Sequence, residues 1–326
     1  MNGGETSAFL VLDLPAALCA VLVANLCAIL GCLLLVRRSA MLGDAISHAV
    51  LPGIVASFLL TGSRSTPAML AGAAAAGVAT SLLIDLLHRR LRIERSAATG
   101  VVFCCMFALG VLMLERGARN VDLDADCVLY GLLEGISWPA LGNGAFLIER
   151  LGLQGGIAAV LADTPRQMVM LAGALALTLV VVCSLYKVLV LASFDAAMAD
   201  ALGFSSRAVG VLIAALVALC AVASFEAVGS ILVVAMLVCP AATARMLSND
   251  LKVRMLIACG QGTLSAVAGY ALAIFLPRLW GSDSSLLASG MMVTVSGVIL
   301  VAVAAVQRVA AATRSRSAAS NAVTSA

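Results

Sequence analysis

A chain of 326 residues that is 63% hydrophobic and only 11% charged has no room for a large soluble domain, because soluble domains carry about 25% charged residues. The mean hydropathy of +1.11 asks instead for an all-α, polytopic transmembrane helical bundle. Its main surroundings would be a lipid bilayer, and no nucleic acid is expected as a partner. Aromatics make up only 4% of the chain and Gly is abundant, a composition that lets helix backbones approach closely in a bilayer.

Residues 1–13 carry Glu5 and Asp13 but no Lys or Arg, and are expected to form an extracytoplasmic N-terminus. The apolar run 14–36 is too long for a signal-peptide core and reads as a retained span. Further runs of about the 20 residues needed to cross the hydrocarbon lie near 45–61, 67–87, 97–115, 168–190, 207–223, 226–247, 254–276 and 285–306. Eight or nine spans are therefore expected within residues 14–306. The spans at 207–223 and 226–247 nearly touch, around Ser224-Phe225-Glu226. The segment 116–166 is long and Gly-rich and is kept outside as a loop. The Ala/Ser/Thr/Arg-rich end, 307–326, reads as a cytoplasmic and disordered tail.

Basic residues orient the spans. With the N-terminus outside and nine crossings, the inner loops collect most of the 20 Lys and Arg, including Arg37, Arg38, Arg89, Arg90, Arg92, Arg95, Lys187 and Lys252. The C-terminus then falls inside, as the positive-inside rule favours. Nine of the ten cysteines, all but Cys127, fall in apolar runs and read as free, buried thiols.

Few ionisable residues remain inside the spans. Asp44 and His48 lie four positions apart, so a helix puts them on one face. A charged side chain at the membrane centre costs about 2.5–3.5 kcal/mol on insertion scales, which makes such a pair a functional candidate. Carboxylate plus imidazole suits manganese, iron(II) or zinc better than copper(I). Pro52 and Gly53 follow one turn later and read as a helix break, since proline removes a backbone donor and clashes with the carbonyl four residues back. Glu226 has no Lys or Arg near it in sequence and is a candidate third ligand or outer gate. On the residues alone, Asp44 and Glu226 also fit proton carriers of a proton-coupled secondary metal transporter.

Two further stretches stand out. Ser193 to Phe204 forms a short amphipathic segment between spans, with Ser193 as candidate N-cap and Gly203 as candidate terminator. The run Asp122-Leu123-Asp124-Ala125-Asp126 alternates acids, but the spacing fails for a calcium loop. No ATP-hydrolysing motif occurs in a credible context.

The run from Arg37-Arg38 through Gly43-Asp44-Ala45-Ile46-Ser47-His48 to Pro52-Gly53 resembles the signature of metal-ion (zinc/manganese/iron) ABC transporter permeases. Ser193-Phe194-Asp195 through Ala199 and Gly203 resembles that family's ATPase-coupling segment. Ser224 to Leu237, continuing through Pro240 to Ala244, resembles its late conserved span. Val121-Asp122-Leu123-Asp124 through Leu129-Tyr130-Gly131 resembles the outer loop of the manganese/iron branch. The resemblance implies a transport subunit in the bacterial cytoplasmic membrane that is not itself an enzyme. It also implies a cytoplasmic ABC ATPase, an extracytoplasmic solute-binding protein, and a second permease subunit completing a homo- or heterodimer. No cofactor is held permanently; the divalent metal is cargo. Asp44 and His48 would line the metal path. Phe194, Asp195, Ala199 and Gly203 would contact the ATPase.

Overall fold

The computed structural model describes residues 13–37, 39–62, 66–117, 133, 165–279 and 286–324. All regular structure among them is helical: α1 (Leu14–Val36), α2 (Ala40–Thr61), α3 (Thr66–Leu91), α4 (Arg95–Gly117), α5 (Arg166–Ser184), α6 (Tyr186–Phe194), α7 (Ala196–Ala201), α8 (Ser206–Leu247), α9 (Leu251–Leu279) and α10 (Ala288–Thr324). Among the described residues, nine segments are long and apolar enough to cross a membrane, because α8 supplies two of them. The outer loop expected at 116–166 falls almost wholly outside the described residues.

α1 is the axis of the bundle. It is apolar on every side, with proline at the start where the missing N–H costs nothing. A helix apolar all round belongs in an interior, and α1 is buried along most of its length against α8 and α9. Polar side chains in α1 and at its start pair with α9. Asn25 Nδ2 donates to Thr263 Oγ1 at 3.0 Å, and Tyr270 donates its hydroxyl to Asp13 Oδ1 at 3.0 Å. The outer rank is α4, α5 and α10, whose apolar side chains remain largely exposed for lipid.

α8 is 42 residues long. A straight helix of that length would measure about 63 Å, twice the hydrocarbon thickness. The chain avoids this at Gly229, whose φ of 77° and ψ of 166° interrupt the helical backbone. Only glycine occupies that region readily. Two span-length helices therefore meet there, where the sequence shows two apolar runs nearly touching.

The break expected at Pro52-Gly53 is absent, because α2 continues unbroken from Ala40 to Thr61. Transmembrane helices tolerate proline when neighbouring elements support the freed backbone. Here Pro52 is buried, and Gly110 of α4 leaves just enough space for its ring. Gly53 serves packing: a Cβ there would overlap the carbonyl oxygen of Gly72 in α3, and a Cβ on Gly72 would overlap that of Gly53. The two helices thus cross backbone to backbone. Gly53→Val should destabilise the chain by the upper end of the about 1–3 kcal/mol seen for overpacked cores, because the obstacle is backbone and cannot rotate away. A lowered thermal midpoint of the purified protein checks this; an unchanged midpoint contradicts the crossing.

Two other sequence expectations meet a different outcome. The tail beyond 306, read as disordered, continues α10 to Thr324; it is rich in alanine, the best helix former. The fifth span, expected to run to 190, ends at Ser184, and α6 begins after a non-helical Leu185. At the α3–α4 corner, Arg95 Nη2 donates to Asp85 Oδ1 at 2.8 Å. Asp85 is a salt-bridged helix end, as its place beside the basic loop suggests. His88 is exposed, with Nδ1 2.7 Å from the Ile93 carbonyl oxygen.

Candidate metal site

α2 brings Asp44 and His48 together as their spacing requires. His48 Nε2 lies 3.6 Å from Asp44 Oδ1, with the side chains 32% and 45% exposed respectively. Two donors each about 2.1 Å from one ion and 3.6 Å apart subtend an angle near 120°. The pair can therefore grip one divalent ion with little rearrangement. Among the described residues no set of three or more His, Cys, Asp or Glu side chains converges. Two protein ligands leave coordination positions free for water, which suits passage better than permanent retention.

α4 builds the wall facing this pair. Phe103 meets the His48 ring edge-on at 5.3 Å, and Phe107 meets it at 6.0 Å with the planes nearly perpendicular. The two phenyl rings stack on each other at 6.3 Å. Phe103 stands eight residues into α4 and His48 eight residues into α2. Equal depth in two helices explains why the three rings meet. The aromatic contacts restrict the plane of the imidazole from the α4 side. The short sequence spacing that reveals Asp44 and His48 gives no hint of Phe103 and Phe107, whose role arises only from helix packing.

Glu226, the third candidate, lies on the α8 backbone three residues before the Gly229 kink. Its side chain falls outside the described residues. The acidic run 122–126 does so entirely.

The coupling candidates form a defined unit. Asp195 is the N-cap of α7, its Oδ1 accepting the Met198 N–H at 2.9 Å. This role was expected of Ser193, which instead lies inside α6 with a hydroxyl that finds no partner. Gly203 ends the unit as expected. Its φ is +85°, its N–H donates to Asp200 O at 3.1 Å, and the Phe204 N–H donates to Ala199 O at 2.9 Å. This pair of bonds is the Schellman closure. Asp200 also accepts the Ser206 N–H at 2.8 Å, tying α7 to the start of α8. Ala199 is fully buried under the turn. Phe194, Met198, Leu202 and Phe204 project outward with roughly half their surface exposed, an apolar knob on a small rigid base.

Arg37 braces this unit from the end of α1. Its guanidinium donates to Ala192 O at 3.4 Å and to Ser206 O at 3.3 Å, spanning both ends of the coupling segment. Burial pushes its pKa down; the charge of Arg95 adds to that, and Asp85 opposes it. The sequence marks Arg37 as an orienting charge and as the start of the signature-like run, but does not reveal these two carbonyl partners. Arg37→Ala should cost about 1.5–2 kcal/mol, the lower part of the range for charged hydrogen bonds, and should make the 195–205 segment more sensitive to limited proteolysis. Wild-type protease sensitivity would contradict the brace.

The chain matches the family model described as the ABC 3 transport family over residues 11–141 and 153–307. It is 38% identical over 256 residues to the manganese transport system membrane protein MntD of Bacillus subtilis (strain 168), covering 78% of this chain and 81% of that protein. It is 30% identical to the zinc transport system membrane protein TroC of Treponema pallidum (strain Nichols), covering 77% and 76%. The fold is similar to PsaBC from Streptococcus pneumoniae, solved in complex with Fab, at a TM-score of 0.67 and 25% identity over 88% of this chain and 89% of that one. With a family model spanning nearly its whole length and nine span-length apolar helices among the described residues, the chain belongs to the ABC 3 transport family.

Proposed function

We propose that this chain is the membrane permease subunit of an ATP-driven importer of divalent transition-metal ions, with Asp44 and His48 lining the path of the ion. The observation that carries the reading is the Asp44–His48 pair, 3.6 Å apart and partly open beside Phe103 and Phe107. Relatives named for manganese and zinc transport support the choice of ion class. Iron stands on donor chemistry alone.

In this reading the chain sits in the bacterial cytoplasmic membrane with its N-terminus outside and its C-terminus inside. A solute-binding protein releases the ion at the outer face, and a second permease subunit, identical or paralogous, forms the other half of the path. Asp44 supplies negative charge and one oxygen; neutral His48 supplies one nitrogen. The phenyl wall holds the imidazole in place and limits water on that side. Glu226, at the kink of α8, serves as a further ligand or gate. ATP hydrolysis belongs to a separate cytoplasmic ATPase that engages Phe194, Asp195, Ala199 and Gly203. Its motion reaches the path through α8, which starts at the coupling segment and packs on α1, α2 and α3.

The test is reconstitution of the permease with its ATPase and binding protein in proteoliposomes. Uptake of manganese or zinc should require ATP and persist when a protonophore collapses the proton gradient. Uptake without ATP that disappears with the gradient would establish the proton-coupled alternative instead.

A further inference from the structure

A groove of about 1040 Å³ opens at one end of the bundle, lined by residues of α1, α5, α6 and α9. It is at the upper end of the about 300–1,000 Å³ typical of ligand cavities. Its walls are apolar, with Ile29, Leu179, Val182, Met255 and Leu256 among them. Most of this lining comes from segments apolar enough to cross the membrane. Leu256 is 73% exposed, so the groove lies open to the surroundings of the bundle.

The charge in the groove is concentrated at one end. Lys187 and Lys252 stand in the first turns of α6 and α9, and Lys252 Nζ sits 5.2 Å over the Tyr186 ring. Asp250 is the carboxylate nearest in sequence: its Oδ1 accepts the Lys252 backbone N–H at 3.1 Å at the positive end of α9, its charge also reaches Tyr186, and the two lysines outnumber it. Phe204 of the coupling segment also lines the groove, which places the two lysines at the coupling end of the bundle. An apolar slot within the span, closed by two cations at the interface, matches a molecule with hydrocarbon chains and an anionic head. Basic pockets between transmembrane helices on the cytoplasmic side take such head groups.

We propose that this groove is a seat for an anionic phospholipid, with acyl chains along Leu179, Val182 and Leu256 and the phosphate between Lys187 and Lys252. The seat is separate from the Asp44–His48 pair and does not depend on the identity of the transported ion.

The experiment uses the full chain in nanodiscs made from equimolar phosphatidylglycerol and phosphatidylcholine. Lipids retained after detergent extraction are counted by native mass spectrometry. The wild-type chain should retain phosphatidylglycerol in preference to phosphatidylcholine. Lys187→Gln and Lys252→Gln should each lower that preference about fivefold, from about 1 kcal/mol per interfacial cation, with the thermal midpoint unchanged. Leu256→Trp, which fills the slot, should lower retention of both lipids. A photo-crosslinking residue at position 256 should form lipid adducts. An unchanged phosphatidylglycerol preference in the double Gln variant overturns the proposal. So does a crosslink from position 256 to a second permease chain or another protein, which would make the groove a protein interface.

Discussion

His48→Ala and Asp44→Ala should each reduce metal uptake by at least about 100-fold while the complex still assembles in the membrane. The magnitude follows from the small ligand set. Removing even an outer-shell partner of a metal ligand costs about 10–100-fold, and here each residue is one of only two described protein donors. Asp44→Asn separates charge from shape, since it keeps an oxygen and loses the anion; it should fall close to Asp44→Ala. Phe103→Leu and Phe107→Leu should weaken uptake less, because they free the imidazole without removing a donor. Both of the principal variants should keep the wild-type thermal midpoint, as the two side chains are partly exposed and help little in packing. Wild-type uptake by either alanine variant would remove the site.

The second large effect is expected at the coupling segment. Phe194→Ser should weaken association with the ATPase by about thirtyfold, the size expected when a central interface anchor is lost. The residue is 57% exposed in this chain, so its loss should disturb the fold little. Gly203→Val acts differently. It forces a β-branched side chain into a left-handed backbone at φ +85°, costing about 1–2 kcal/mol, and it opens the closure that holds Ala199 and Phe204 together. Asp195→Ala removes the cap of α7 at a cost of about 1 kcal/mol. All three should lower metal-stimulated ATP hydrolysis while leaving metal binding to the permease intact. That split distinguishes a coupling fault from damage to the path. Normal metal-stimulated hydrolysis in all three variants would contradict the assignment.

What the sequence makes legible is whatever is local. The nine candidate spans among the described residues follow from runs of apolar residues, and Asp44 and His48 share a face because helical periodicity alone requires it. Gly203 as terminator is equally local. The misreadings arise where a residue's meaning depends on its neighbour across the bundle. Pro52-Gly53 reads as a break in isolation, yet Gly53 is a crossing point because Gly72 lies opposite. Ser193 has the composition of a cap, but Asp195 has the position. Phe103 and Phe107 are two aromatics in an apolar run until α4 sets them against His48. Arg37 reads as an orienting charge at the head of the signature-like run, and is found holding two carbonyls more than 150 residues away in sequence.

His48 is proposed to give a nitrogen to the transported ion, and the chain contains only two histidines. Pulsed electron paramagnetic resonance of manganese(II) bound to the purified permease reads such a nitrogen directly. Coupling to one imidazole nitrogen is expected in the wild-type chain and in His88→Gln, and should be lost in His48→Ala. Imidazole coupling that persists in His48→Ala, or that disappears in His88→Gln, would contradict it.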